Sequence, residues 1–170
     1  HIRHALDPRN QAGEPSGFDR LRLVHEALPE LDADEVSLGC TALGRSTATP
    51  FFIPGMTAGH SQGTQLNLLL ASKCEERGWV LGVGSQRRDL DSGDFTEWTE
   101  FRRRFPNLVS VGNIGLAQIL HRSTAELLRL TEAMGSTALA VHLNALQEIL
   151  QPEGTPQFKG GLQALERLCK

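Results

Sequence analysis

Long apolar runs are missing from this sequence. Runs such as Leu68-Leu69-Leu70 and Phe51-Phe52-Ile53 fall far short of the roughly 20 residues that span a bilayer, so neither a membrane span nor a signal peptide is expected. A dominant charge is missing too. With 17 basic against 20 acidic residues the net charge is -3 and the pI about 6.1, which excludes a dedicated nucleic-acid binder with a broad basic footprint. Cysteine is scarce: Cys40, Cys74 and Cys169 lie far apart with no C-x-x-C spacing, which excludes a disulfide scaffold and a zinc site and fits a reducing cytoplasm. The common phosphate signatures are also lacking. Gly82-Val83-Gly84-Ser85 is glycine-rich but matches neither G-x-G-x-x-G nor a P-loop, so dinucleotide-binding and NTPase readings fall away.

The 170 residues suffice for one domain with a core, since a chain of this size buries roughly two thirds of its unfolded surface. The sequence starts at His1 without methionine and stops at Lys170 just after an amphipathic stripe, so a piece of a longer protein is expected. From residue 50 onward, short apolar runs alternate with helical patterns, which favours strand-helix units around a parallel sheet. The strand candidates are 51–53, 79–83, 108–111 and 138–143. Between them, Leu66, Leu69, Leu70, Lys73, Cys74 and Arg77 follow helical spacing, as do Phe95, Trp98, Arg102 and Phe105. Ser123 with Glu126 forms a capping box before Leu127, Leu130 and Met134, and Asp94 with Glu97 a similar pair before Trp98. Gly78, Pro106 and Gly135 stand where helices should stop, and a last helix follows Gly160-Gly161 with Leu162, Leu165, Leu168 and Cys169 as its stripe.

The four apolar runs begin at 51, 79, 108 and 138, spacings of 28, 29 and 30 residues. That is the period of a (β/α) barrel. The fold class expected is therefore α/β: a (β/α)8 TIM barrel in the parent protein, of which this chain covers an N-terminal extension, residues 1–49, and the first half of the barrel, residues 50–170. The extension holds a Gly/Pro-rich stretch from Pro8 to Gly17, an extended stretch from Leu21 to His25 and a hairpin between Glu35 and Thr49, packed on the barrel's outside or bottom. A complete small α/β sandwich is the alternative.

In such barrels chemistry sits at the carboxyl ends of the strands. Following the four runs are Gly55-Met56-Thr57, Ser85-Gln86-Arg87, Asn113, and His142 with Asn144, Gln147 and Glu148. Thr57, Ser85, Asn113 and His142 are 28, 28 and 29 residues apart, so they would converge around one mouth. Gly55 and Gly59 admit close approach of a flat ligand, and Thr57, Ser85 and Asn113 offer neutral donors and acceptors, which suits a flavin; capping of the following helices is the structural alternative. Arg87 brings a planar fork for phosphate oxygens, and Glu148 is a single carboxylate of the kind Mg²⁺ uses together with substrate phosphates and water. A backbone-bonded buried histidine and a solvated helix glutamate remain the alternatives for His142 and Glu148. Arg102-Arg103-Arg104 reads as a solvated helix face, and His25, His60 and His121 have no metal spacing.

Taken together, these motifs resemble type 2 isopentenyl-diphosphate isomerase, the FMN-dependent family. The resemblance is carried by His1-Ile2, by Pro50-Phe51-Phe52-Ile53-Pro54-Gly55-Met56-Thr57-Ala58-Gly59, by Gly82-Val83-Gly84-Ser85-Gln86-Arg87, by Gly112-Asn113-Ile114-Gly115, and by His142-Leu143-Asn144-Ala145-Leu146-Gln147-Glu148 with Pro152-Glu153-Gly154. It implies that Gly55, Met56, Thr57, Ser85 and Asn113 hold FMN, that Ser85, Gln86, Arg87, His142, Asn144 and Gln147 face the substrate, that Gln147 stands at the reacting centre, and that Glu148 ligates Mg²⁺. It further implies interconversion of isopentenyl and dimethylallyl diphosphate by reduced FMN acting in proton transfer, NADPH to reduce the flavin, and a cytoplasmic homo-oligomer with the N-terminus near a neighbour's active site. The family's initial Arg-Lys pair, its later-strand lysine and its FMN-phosphate loops have no counterpart here, and Ala58 stands where glycine is common. This chain alone is therefore expected to bind FMN poorly and not to turn over. Two other functions are compatible with the residues: an FMN-barrel oxidoreductase, and a non-catalytic half-barrel that assembles with a partner.

Overall fold

A computed structural model of the chain describes residues 6–14, 16–58 and 60–170. His1-Ile2 and Gly59, which carried part of the resemblance, lie outside the described residues.

A hairpin of β1 (Cys40–Ala42) and β2 (Arg45–Thr47) comes first, turning at Leu43 and Gly44, both with positive φ. A parallel four-stranded sheet follows, ordered β3 (Phe52–Ile53), β4 (Val80–Gly82), β5 (Ser110–Gly115) and β6 (Ala138–His142). The crossovers are helical: α1 (Gly63–Arg77) joins β3 to β4, α2 (Arg87–Ser92) and α3 (Thr96–Arg104) join β4 to β5, and α4 (Leu116–His121) and α5 (Thr124–Met134) join β5 to β6. After β6 come α6 (Ala145–Leu150) and α7 (Gly161–Leu168). The expected alternation of strand and helix is present. The short helices α2 and α4 leave no mark in the sequence pattern because six residues are too few to show a period.

Alternation along the strands separates two faces. Leu81, Val83 and Ile114 pack against Ala71 and Cys74 of α1, Trp98 and Phe101 of α3, and Leu127, Leu130 and Met134 of α5, with Ile53, Leu139 and Val141 completing that side. Trp98 and Phe101 meet edge-on at 5.9 Å, and the Trp98 indole N–H donates to Asp89 at 2.9 Å, so the polar end of this large core residue is satisfied. On α1 the sheet-facing residues are Asn67, Ala71 and Cys74, whereas Leu69, Lys73 and Arg77 are exposed. The expected leucine stripe is thus rotated, because small side chains let the helix sit close to the strands. Register places Val80, Gly82, Val111, Asn113, Gly115, Ala138, Ala140 and His142 on the opposite, inner face.

The helix signals behave mostly as read. Ser123 accepts from the Glu126 N–H at 3.3 Å while Glu126 accepts from the Ser123 N–H at 2.8 Å. Asp94 accepts from the Thr96 N–H at 3.0 Å, but the return bond from Glu97 is not formed among the described residues. Gly78 ends α1 at φ 63°, and its carbonyl accepts from the Ala48 N–H at 3.1 Å. A Cβ there would lie 2.6 Å from that of Ala48, so glycine serves both the left-handed cap and the docking of the hairpin.

Three readings need correction. Strand β5 starts later than expected and runs on to Gly115, because Gly112 and Gly115 look like loop in sequence but are held in the ladder by β6, opposite Leu139 and His142. Asn113 is consequently inside a strand, not after one. In the extension the hairpin docks as expected, yet every residue from 21 to 39 is exposed, with Leu23 and Val24 at 96% and 97%, so this stretch is not packed on the sheet-helix body. Leu21–His25 joins no ladder among the described residues.

Candidate functional site at the strand ends

The carboxyl ends of β3 to β6 lie side by side, and the parallel ladder brings most of the expected residues to one edge. On the inner face Asn113 sits opposite Ala140, and Gly115 opposite His142. The His142 ring lies over Gly115, where a Cβ would come within 3.0 Å of Nε2. Gly82, Gly115, Ala138 and Ala140 leave the inner face low, with Asn113 and His142 as its polar groups, both half-buried.

Thr57 and Ser85 line a small cleft of about 80 Å³ beside the N-terminal end of α1, together with Asn67, Arg88 and Asp89. Thr57 is buried and its hydroxyl donates to the Asn67 amide oxygen at 2.7 Å, which pins the loop after β3 to α1. Met56 is exposed. Gly55 presses against the backbone just after β4, where a Cβ would fall 1.9 Å from the Val83 carbonyl oxygen.

Gln86 departs from expectation. It is 1% exposed; its amide oxygen accepts from the Asn113 N–H at 3.0 Å and its amide nitrogen faces the Met134 sulfur at 3.5 Å. Its side chain runs into the layer between sheet and α5, where it ties the segment after β4 to β5. The flanking Ser85 and Arg87 are half-buried.

The remaining groups gather on α6 and the loop after it. Asn144 caps α6, its amide oxygen accepting from the Gln147 N–H at 3.1 Å while its amide nitrogen donates to the Gln147 side-chain oxygen at 2.7 Å. Glu148 accepts from the Thr155 N–H at 2.7 Å through one carboxylate oxygen. Arg87 reaches over from the start of α2, donating to the Glu153 carbonyl at 2.7 Å, with Asp91 3.6 Å from its Nε. Sequence reading did not foresee this latch between 87 and 153, because backbone acceptors leave no mark in side-chain identity.

Among the described residues no group of three His, Cys, Asp or Glu side chains could hold a metal. One carboxylate with a free oxygen fits Mg²⁺ only when phosphate oxygens and water complete the shell. Among the described residues the low inner face, with Asn113 as a polar group on it, is a surface that could take a flat aromatic ring.

The three arginines 102–104 are exposed; Arg102 donates to the Glu132 carbonyl at 2.7 Å and Arg103 pairs with Glu100, as expected of a solvated helix face. No helix of the described residues is long and apolar enough to cross a membrane.

No protein-family model matches the chain. Individual relatives do. An isopentenyl-diphosphate delta-isomerase of Bdellovibrio bacteriovorus is 46% identical over 175 aligned residues, covering 100% of this chain and 50% of that protein. The isopentenyl-diphosphate delta-isomerase of Legionella pneumophila strain Corby is 44% identical with the same coverage, and that of Methanococcoides burtonii 40% identical over 97% of this chain and 46% of its own length. The chain is thus similar along essentially its whole length to such isomerases, and it spans about half the length of the curated relatives it matches.

Proposed function

We propose that this chain forms one half of an isopentenyl-diphosphate delta-isomerase, a (β/α)8 barrel that interconverts isopentenyl and dimethylallyl diphosphate with FMN, NADPH and Mg²⁺. The observation that carries this reading is the gathering of Arg87, Asn144, Gln147 and Glu148 at the strand-end edge of a chain alignable end to end with named isomerases. Supporting the barrel is the open sheet itself: β3 and β6 are edges, and all five residues of β6 are half-exposed, which a further parallel strand would cover.

Within that barrel Gly55, Met56, Thr57, Ser85 and Asn113 would border the flavin. When bound, reduced FMN supplies the proton donor and acceptor for moving the double bond without net redox change, and NADPH keeps the flavin reduced. The chain's own residues bind and orient. Arg87 is held from behind by Glu153 and Asp91, which leaves its other N–H groups for diphosphate oxygens. His142, seated over Gly115, presents its ring at the end of β6. Asn144 locks the oxygen of Gln147, so the Gln147 amide nitrogen is the end left to donate toward the substrate. An amide does not release a proton near neutral pH, so Gln147 positions the allylic carbons instead of titrating. Glu148 holds Mg²⁺ through its free oxygen, together with the diphosphate. We place the protein in the cytoplasm as a homo-oligomer.

The test is conversion of isopentenyl diphosphate to dimethylallyl diphosphate by the full-length protein that carries this chain, supplied with FMN, NADPH and Mg²⁺. Oxidation of a hydroxy acid without isomerisation would instead establish an FMN-barrel oxidoreductase. No turnover and no flavin binding would leave a non-catalytic half-barrel.

A further inference from the structure

One short loop touches both of the charged groups just assigned to the substrate and the metal. The loop 151–155 follows α6 and folds back over its end, with the Gly154 N–H donating to the Gln151 carbonyl at 3.0 Å. Two of its backbone groups are spent on functional side chains. The Glu153 carbonyl accepts from Arg87 at 2.7 Å, and the Thr155 N–H donates to Glu148 at 2.7 Å. Between these two contacts stands Gly154, where a Cβ would lie 2.1 Å from the Glu148 carbonyl oxygen, 2.8 Å from its carbon and 3.0 Å from the Gln151 oxygen. Those neighbours are backbone atoms of a helix end and cannot swing aside as a flexible side chain would. Any residue other than glycine must therefore lift the loop off α6.

We propose that Gly154 is a positioning residue that sets the Glu148 carboxylate and the Arg87 guanidinium together, through the backbone of residues 153 and 155. This rests on the functional reading above. The Thr155 N–H occupies one oxygen of Glu148 and fixes the direction of the other, the arrangement by which an outer hydrogen bond orients a metal ligand. The Glu153 carbonyl does the same for a guanidinium on a different element, 66 positions earlier in sequence. A displaced loop costs both at once, so metal and diphosphate binding fall together.

The experiment compares Gly154→Ala with the unaltered full-length protein. Mn²⁺ binding in the presence of inorganic diphosphate is read by electron paramagnetic resonance, and KM and kcat for isopentenyl diphosphate are read separately. We expect Mn²⁺ affinity to fall by about tenfold or more, the usual scale for loss of an outer-shell contact, with KM rising in parallel while flavin binding and the circular dichroism spectrum are kept. Glu148→Gln, which weakens Mn²⁺ binding in the parent, should add little in the Gly154→Ala background. A folded Gly154→Ala protein with parental Mn²⁺ affinity and KM overturns the proposal. Should Gly154→Ala fail to fold, amide exchange of Thr155 decides: Glu148→Ala must speed it in an otherwise native protein, and unchanged exchange overturns the proposal. Absence of Mn²⁺ binding by the parent overturns the proposal together with the metal role of Glu148. Parental Mn²⁺ binding that Gly154→Ala weakens, without any isomerisation, supports the positioning role and overturns the functional reading alone.

Discussion

Gln86 and Asn113 are joined twice: the Gln86 N–H donates to the Asn113 carbonyl at 2.8 Å, and the Asn113 N–H donates to the Gln86 side-chain oxygen at 3.0 Å. The second bond stands in for a ladder bond just where β4 has ended and β5 continues, so a glutamine side chain extends the sheet by one step toward the site.

Replacing Gln86 by Ala should therefore act on stability before it acts on binding. It strands the Asn113 N–H and opens a void beside Met134, and a cost of about 2–4 kcal/mol is expected from those two effects. Urea denaturation of the variant checks this. A variant of parental stability with a raised KM for the diphosphate would return Gln86 to the substrate surface.

Gly78→Ala should cost more than an ordinary loop substitution. The position combines φ 63° with a 2.6 Å approach to the Ala48 Cβ, and about 2 kcal/mol or more is expected. Because Ala48 belongs to the chain leaving the hairpin, protease cleavage near residues 43–48 should accelerate along with the loss of stability.

Cys74 is fully buried between α1 and β4, and burial pushes its thiol up to about 11. The folded state thus holds this proton in a range where an unfolded cysteine has lost it. Between about pH 9 and 11 stability should fall as pH rises, and Cys74→Ala should remove that part of the slope. Alkylation at pH 8 should label exposed Cys169 readily and leave Cys74 untouched until the protein unfolds.

Ser123→Ala should cost about 1 kcal/mol, the usual worth of an N-cap. Hydrogen bonds from the Ser123 backbone, then from its side chain and from Arg122, hold the Glu126 carboxyl below the usual carboxylate range. With a depressed folded value, this contribution is present above the ordinary glutamate range and is lost as pH falls through the folded one. Acid titration followed by circular dichroism should show α5 fraying at higher pH in Ser123→Ala than in the parent.

Neighbouring residues dictate the alternation of strands and helices, the helix stops at Gly78 and Gly135, the capping box at Ser123, and the spacing that brings Ser85, Asn113 and His142 to neighbouring strands. These follow from local rules, in which periodicity, caps and glycine conformations are written in adjacent residues. Tertiary structure alone decided the rest. Whether Gln86 faces the mouth or the core depends on where β4 ends relative to β5, and Gly112 and Gly115, loop-like in sequence, are strand residues because β6 pairs with them. Likewise the rotation of α1 toward Asn67, Ala71 and Cys74 reflects how close the helix can approach the sheet, and the meeting of Arg87 with Glu153 joins a side chain to a carbonyl that any residue would have supplied. Contacts made by backbone atoms across long stretches of chain carry no residue-specific signal, so only the folded arrangement reveals them.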